Sequence, residues 1–142
     1  MLVDANILLF AVDASSPFHA RASAWLTERL NGTRRVGFPW ESLGAFLRIS
    51  TNPRATSRPL TPGEAWSHVE DWLGAGPAWV PGPTERHGEV LGALIRLYQL
   101  SGNLIADARV AAIAIEHGLT VCSADTDFAR FAEVTWENPL AG

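Results

Sequence analysis

Apolar residues recur along the chain in short continuous runs and in stretches with the three- and four-residue spacing of helices. Together with turn residues, these patterns predict alternating strands and helices. The predicted strands cover residues 1–4, 34–38, 78–82, 119–124 and 134–138. The predicted helices cover 16–32, 39–51, 61–76, 84–102 and 103–118, with shorter helical segments at 5–13 and 125–132.

Capping residues support these helix boundaries. Asn6, Ser16, Thr61 and Asn103 are expected to cap helix starts, and Glu64 is expected to complete a capping box with Thr61. Three glycines are expected to end helices: Gly32, Gly102 and Gly118.

The alternation of strands and helices indicates an α/β fold. Continuous apolar strands such as LTVC are typical of a parallel sheet that is covered on both faces. We therefore expect a three-layer α/β/α architecture with a central, mostly parallel sheet. The 142 residues are 47% hydrophobic and 18% charged, which fits one globular domain spanning residues 1–142.

Acidic residues follow the predicted strands or open the predicted helices. The acids in these positions are Asp4, Glu41, Asp107, Asp125 and Asp127. Helix N-termini and strand C-termini meet at one edge of such a sheet, which is where these folds bind ligands. Each acid also has an ordinary interpretation, as a turn residue, a helix cap or a partner of the helix dipole.

The charge inventory favours a metal site at this edge. All 11 basic residues are Arg, so no Lys is available to neutralise a group of carboxylates. Oxygen-rich clusters bind hard divalent cations such as Mg²⁺ or Mn²⁺. We therefore interpret the converging acids as a candidate divalent-cation site.

Four short motifs, in order, resemble the PIN-domain ribonucleases. LVDANILLFA contains the D-x-N pair of Asp4 and Asn6, and WESLGAFLRI contains the acidic second motif with Glu41. ADARVAAIAIEHG and SADTDFARF resemble the third and fourth motifs. The length, FHARASAWL and WENPL look most like VapC-type toxins of bacterial toxin–antitoxin pairs.

The resemblance implies a toxin that is an endoribonuclease dependent on Mg²⁺ or Mn²⁺. It implies that Asp4, Glu41, Asp107 and Asp125 hold one or two ions, and that Asp127 supports a second ion or orients the attacking water. Asn6 would position Asp4 through a hydrogen bond. The family further implies a homodimer that a small antitoxin protein inhibits.

A loop between two predicted helices is the candidate RNA contact. No acid occurs between Glu41 and Glu64, whereas Arg54 and Arg58 lie in the loop TNPRATSRPLTPG. We expect both arginines to contact the phosphate backbone. An ordinary exposed loop is the alternative, and the net charge of −4 does not by itself favour a nucleic-acid partner.

The apolar runs are too short to cross a membrane. Because a strand-like pattern begins at Leu2, the sequence leaves no room for a signal peptide, and we expect a cytoplasmic protein. Cys122 is the only cysteine, so no intrachain disulfide can form.

Three other functions fit parts of the pattern. A PIN-fold nuclease of RNA processing would carry the same acids without being a toxin, and a gene for a small protein immediately upstream would favour the toxin. A phosphotransfer or phosphatase fold also places Asp at a strand end, but it uses a Lys that this chain lacks. A catalytically inactive interaction module would not need the full acidic set.

Overall fold

Five short strands form the sheet at the centre of the computed structural model, which describes residues 1–142. The strands are β1 (Leu2–Val3), β2 (Val36–Gly37), β3 (Ala78–Trp79), β4 (Val121–Cys122) and β5 (Trp136–Glu137). The helices are α1 (Ala5–Val12), α2 (His19–Leu30), α3 (Trp40–Ser50), α4 (Pro62–Leu73), α5 (His87–Tyr98) and α6 (Leu104–His117). A 3-10 helix, Thr126–Arg130, follows β4.

All strand pairs are parallel, and the strand order is β3-β2-β1-β4-β5. The predicted α/β fold with a parallel sheet is therefore confirmed. The order differs from the 2-1-3-4-5 order of response regulators of the CheY type. The chain runs from β1 outward to β3 and then crosses to β4, so the direction of strand addition reverses between β1 and β4.

The two residues of β1 show how the three layers are built. Leu2 and Val3 point to opposite faces of the sheet, as successive strand residues do. Leu2 packs in a cluster with buried residues of α5, α6 and the 3-10 helix, including Ile113 and Phe128. Val3 packs in a second cluster with α1 to α4, including Phe46. Helices thus cover both faces, as the sequence predicts.

Several helix ends differ from the prediction because local turns compete with the helix. Asp4, and not Asn6, caps α1 by accepting a hydrogen bond from the amide of Ala5 at 2.9 Å. The hydroxyl of Ser16 accepts from the amide of Phe18 at 3.1 Å, which forms a turn, and α2 begins only at His19.

The predicted capping box is confirmed. Thr61 accepts from the amide of Glu64, and the carboxylate of Glu64 accepts from the amide of Thr61. The prediction for the end of α5 was wrong, since Gln99 takes a left-handed backbone conformation with φ 54° and stops the helix before Gly102. Asn103 precedes α6 without a side-chain capping bond.

No helix has the length and apolarity needed to cross a lipid bilayer.

A buried hydrogen-bond network holds the C-terminal end of α6. The side chain of Glu116 is fully buried and accepts from the amide and the hydroxyl of Thr84, at 2.8 Å and 2.7 Å. The ring Nδ1 of His87 donates to its other oxygen at 2.7 Å. Burial alone would raise the pKa of Glu116, but the donors of Thr84 and His87 outweigh it, so the pKa is lowered.

We predict that Glu116→Ala lowers the free energy of unfolding by about 2–4 kcal/mol, because it leaves buried donors without an acceptor. Urea denaturation of the variant and the wild type measures this difference. The lowered pKa means that the stabilisation is full above the ordinary value of 4.5 and is lost as the pH falls. Glu85→Ala, on the exposed part of the same loop, is the matched control, and an equal effect of both substitutions would contradict the role of the network.

Candidate metal centre

The candidate site lies where the strand order reverses, at the carboxyl ends of β1 and β4. Asp4 directly follows β1, and Asp125 comes three residues after β4. In open α/β sheets, the crevice beside such a reversal is the usual ligand site. The fold therefore brings together acids that are more than a hundred residues apart in the chain.

Asp4 is held by a network that joins the ends of the two strands. Its Oδ2 accepts hydrogen bonds from the hydroxyl of Ser123 at 2.8 Å and from the side-chain Nδ2 of Asn6 at 3.2 Å. The side-chain oxygen of Asn6 in turn accepts from the amide of Ala124 at 3.1 Å. The structure thus has the predicted hydrogen bond between Asn6 and Asp4, and Asn6 also ties α1 to the segment after β4.

Burial is the main influence on Asp4 and raises its pKa. The hydrogen bonds from Ser123 and Ala5 act in the opposite direction, while the nearby carboxylate of Asp125 raises the pKa further. Ser123 also accepts from the amide of Asp125 at 3.0 Å, so one hydroxyl contacts both acidic segments.

Three of the predicted acids form a close group, named here the aspartate trio: Asp107, Asp125 and Asp127. One oxygen from each lies within 4.8 Å of the others. Asp107 lies in the first turn of α6, and Asp125 caps the 3-10 helix by accepting from the amide of Asp127 at 2.8 Å. The capping role predicted as an alternative for Asp125 is therefore also present.

Burial and repulsion act together on Asp107. They raise its pKa from 3.8 to about 7, with burial the larger cause, followed by the charges of Asp125, Asp4 and Asp127; Arg130 opposes the rise. Asp4 is also linked to the aspartate trio through Ser123, whose hydroxyl contacts both the Asp4 carboxylate and the amide of Asp125.

The aspartate trio fits a divalent cation. Carboxylate oxygens bind Mg²⁺ and Ca²⁺ at about 2.0–2.6 Å, so two oxygens around one ion are separated by up to roughly 4–5 Å. The spacing of the aspartate trio lies in this range. A bound cation would also relieve the repulsion that raises the pKa of Asp107.

Glu41 is placed near this edge but outside the aspartate trio. It lies in the first turn of α3, and its Oε2 accepts from Arg109 at 3.2 Å. The Glu41 side chain is 13% exposed, whereas Arg109 is 52% exposed. Arg109 follows Asp107 by two residues on α6, so it draws the Glu41 carboxylate toward the rim of the site.

Two arginines at the rim of the site were not predicted from the sequence. Arg109 pairs with Glu41, and Arg130 pairs with Asp127 at 3.2 Å. The second pair has a sequence signal, because residues three apart on a helix are neighbours. The first pair joins residues 68 positions apart and has none.

The PIN domain family profile matches residues 1–134. The chain belongs to the PIN-domain family. Ribonuclease VapC37 of Mycobacterium tuberculosis is 41% identical over 140 residues, which cover 99% of this chain and 97% of the relative. Ribonuclease VapC33 of the same organism is 36% identical over 140 residues, covering 99% of this chain and 98% of the relative.

Solved structures show the same fold at low sequence identity. Mycobacterium tuberculosis VapC20, described as a sarcin-ricin loop cleaving toxin, superposes with a TM-score of 0.66 at 18% identity, covering 94% of this chain and 98% of that one. FitAB bound to IR36 DNA gives a TM-score of 0.68 at 20% identity, covering 99% and 95%. The PIN fold expected from the motifs is therefore confirmed.

The remaining predicted residues of this PIN-domain protein lie away from the aspartate trio. Arg54 and Arg58 are exposed in the loop between α3 and α4, and neither forms an ion pair. Arg58 borders a cavity of about 530 Å³ between α1, α3 and this loop. Eight of its 14 lining residues are apolar: Leu9, Phe10, Val12, Ala14, Phe46, Ile49, Ala55 and Leu60.

We predict that Asp107→Asn raises the thermal midpoint of the metal-free protein, and does so more at pH 8 than at pH 5. The raised pKa means that an ionised Asp107 destabilises the fold progressively as the pH rises from 3.8 toward about 7. Thermal unfolding in EDTA at both pH values measures the effect. Asp71→Asn, at an exposed acid of α4, is the control, and a shift of equal size at both pH values would contradict the prediction.

Proposed function

We propose that this chain is an endoribonuclease that hydrolyses RNA phosphodiester bonds and acts as the toxin of a type II toxin–antitoxin pair. The observation that carries the proposal is the aspartate trio at the strand reversal, in a PIN-domain chain 41% identical to a VapC ribonuclease over 99% of its length. We further propose that residues 1–142 form one catalytic domain that acts in the cytoplasm.

We propose that Asp4, Glu41, Asp107 and Asp125 hold Mg²⁺ or Mn²⁺. When bound, such an ion lowers the pKa of water and neutralises charge on the scissile phosphate. The donors from Ala5, Asn6 and Ser123 fix the Asp4 carboxylate, which supports its role as a ligand.

The other acids have distinct tasks in the proposed site. Asp107 has to lose a proton before it can bind a cation, since its pKa lies at about 7. Asp127 lies in the aspartate trio and is proposed to orient the attacking water or to support a second ion. Asn6 is a positioning residue that acts through Asp4.

We predict that Asp4→Asn and Asp107→Asn each reduce RNA cleavage by more than about 100-fold, because each removes a charged ligand of the proposed ion. The substitution at position 4 keeps an oxygen that can cap α1, so folding should be preserved. Gel analysis of short single-stranded RNA with purified protein and Mn²⁺ measures cleavage, and circular dichroism checks the fold.

Asp71→Asn is the matched control and should cut RNA as the wild type does. Induced expression of the wild type should arrest growth and degrade cellular RNA, and neither Asn variant should do so. Retained cleavage by both site variants would overturn the proposed mechanism.

The antitoxin partner is proposed from the solved relatives and from the cavity. VapBC2 of Rickettsia felis, a structural neighbour with a TM-score of 0.67, was solved bound to a DNA fragment from the promoter, and another neighbour is a toxin–antitoxin complex from Klebsiella pneumoniae. The apolar cavity between α1 and α3 is a suitable concave surface for side chains of such a partner. We further propose a homodimer, on the resemblance to VapC-type toxins.

We predict that replacing Arg54 and Arg58 with Ala weakens RNA binding and lowers its salt dependence. Two lost phosphate contacts on a single strand should reduce the slope of log K against log salt by about 1.4. Fluorescence anisotropy at several salt concentrations, with the inactive Asp107→Asn protein, measures the slope. Arg96→Ala, at an exposed arginine of α5, is the control, and an unchanged slope in the double variant would refute the assignment.

A further inference from the structure

Two exposed tryptophans, Trp40 at the start of α3 and Trp66 in α4, stack on each other. The rings of Trp40 and Trp66 are nearly parallel, with an interplanar angle of 7° and centroids 6.4 Å apart. Trp40 is 50% exposed and Trp66 is 45% exposed. The only other large hydrophobic residues this exposed are Phe18 and Leu97, so the pair accounts for half of that set.

Trp40 places the pair on the edge of the sheet that carries the carboxylate site. Trp40 is the first residue of α3 and directly precedes Glu41, whose carboxylate binds Arg109 of α6. Arg109 in turn lies two residues from Asp107 of the aspartate trio. Because α3 follows β2, it begins at the same carboxyl edge of the parallel sheet where Asp4 and Asp125 lie, so one RNA strand running along this edge would meet both the aspartate trio and the tryptophan pair.

Packing within the core does not require these two rings. Trp72 shows the contrast, since it is 7% exposed and stacks on Phe38 while it meets the edge of Phe46. Trp40 and Trp66 instead keep about half of their surface in contact with water. Their mutual stacking holds the two rings in nearly parallel planes, an orientation in which a further flat ring can stack on either one.

A nucleobase fits such a face better than a protein side chain does. Single-stranded RNA is recognised largely by stacking its unpaired bases on aromatic rings. Apolar side chains of a protein partner have a concave alternative in the cavity between α1 and α3, and no tryptophan lines that cavity.

We propose that Trp40 and Trp66 form a stacking platform for one base of the single-stranded RNA substrate, next to the bond that is cut. This inference rests on the proposed ribonuclease function. It assigns a task to Trp40 and Trp66 that is separate from metal binding, namely to hold the strand by its base while the carboxylates act on its phosphate.

The test begins by mapping the bond that the wild type cuts in a short RNA. Matched RNAs are then made with one abasic nucleotide at each position flanking that bond. Anisotropy gives their affinity for Asp107→Asn protein, with and without Trp66→Ala or Trp40→Ala. We expect one abasic position to weaken binding by about tenfold when both tryptophans are present, and no position to do so when either is replaced.

Two further variants sharpen the comparison. Trp66→Phe keeps an aromatic face and should restore most of the dependence on the base. Phe18→Ala removes an equally exposed aromatic residue elsewhere and should retain the full dependence.

The outcomes separate this inference from the proposed function. If the wild type cuts no RNA in the first step, the ribonuclease proposal fails and the platform fails with it. If RNA is cut but base dependence is the same in every variant, the platform alone is wrong. Unchanged RNA affinity with altered subunit assembly or antitoxin binding would assign the pair to a protein interface and would also overturn it.

Discussion

The gathering of several carboxylates in a partly buried site is the constraint on which the rest of this structure depends. The parallel pairing of β1 with β4 forces Asp4 and Asp125 to leave the sheet at the same edge, and α6 adds Asp107. Burial is the larger cause that raises the pKa of both Asp107 and Asp4, and repulsion from the neighbouring carboxylates raises both further. Two hydrophobic clusters, one on each face of the sheet, stabilise the fold and offset the unfavourable free energy of placing these acids together.

The acids of the site differ in the hydrogen bonds and ion pairs that stabilise their negative charge. Asp4 is surrounded by hydrogen-bond donors, while Glu41 and Asp127 have arginine partners. Asp107 has no such donor or ion pair, and only the more distant charge of Arg130 lowers its pKa. Among these acids, Asp107 would therefore be stabilised most by a bound cation. A cation site accounts for the presence of a carboxylate at the start of an otherwise apolar helix.

Features that depend on residues close together in the chain could be predicted from the sequence, whereas features that depend on residues far apart could not. The capping box of Thr61 and the acids at strand ends depend on a few neighbouring residues, so the sequence was sufficient for them. The predicted start of α2 was wrong because the Ser16 side chain forms a turn that competes with the helix. The pairing of Arg109 with Glu41 joins distant segments through helix packing, so no local pattern indicates it.

Helix α6 connects the candidate metal site to the buried network around Glu116. Asp107 lies at its upper end, and Glu116, nine residues later, is anchored to Thr84 and His87 at the lower end. At 1.5 Å per residue, the two acids are separated by roughly 14 Å along the axis. The bonds to Glu116 and the buried residues between the two acids therefore fix the helix that carries Asp107, so the position of this carboxylate is set partly on the far side of the sheet edge.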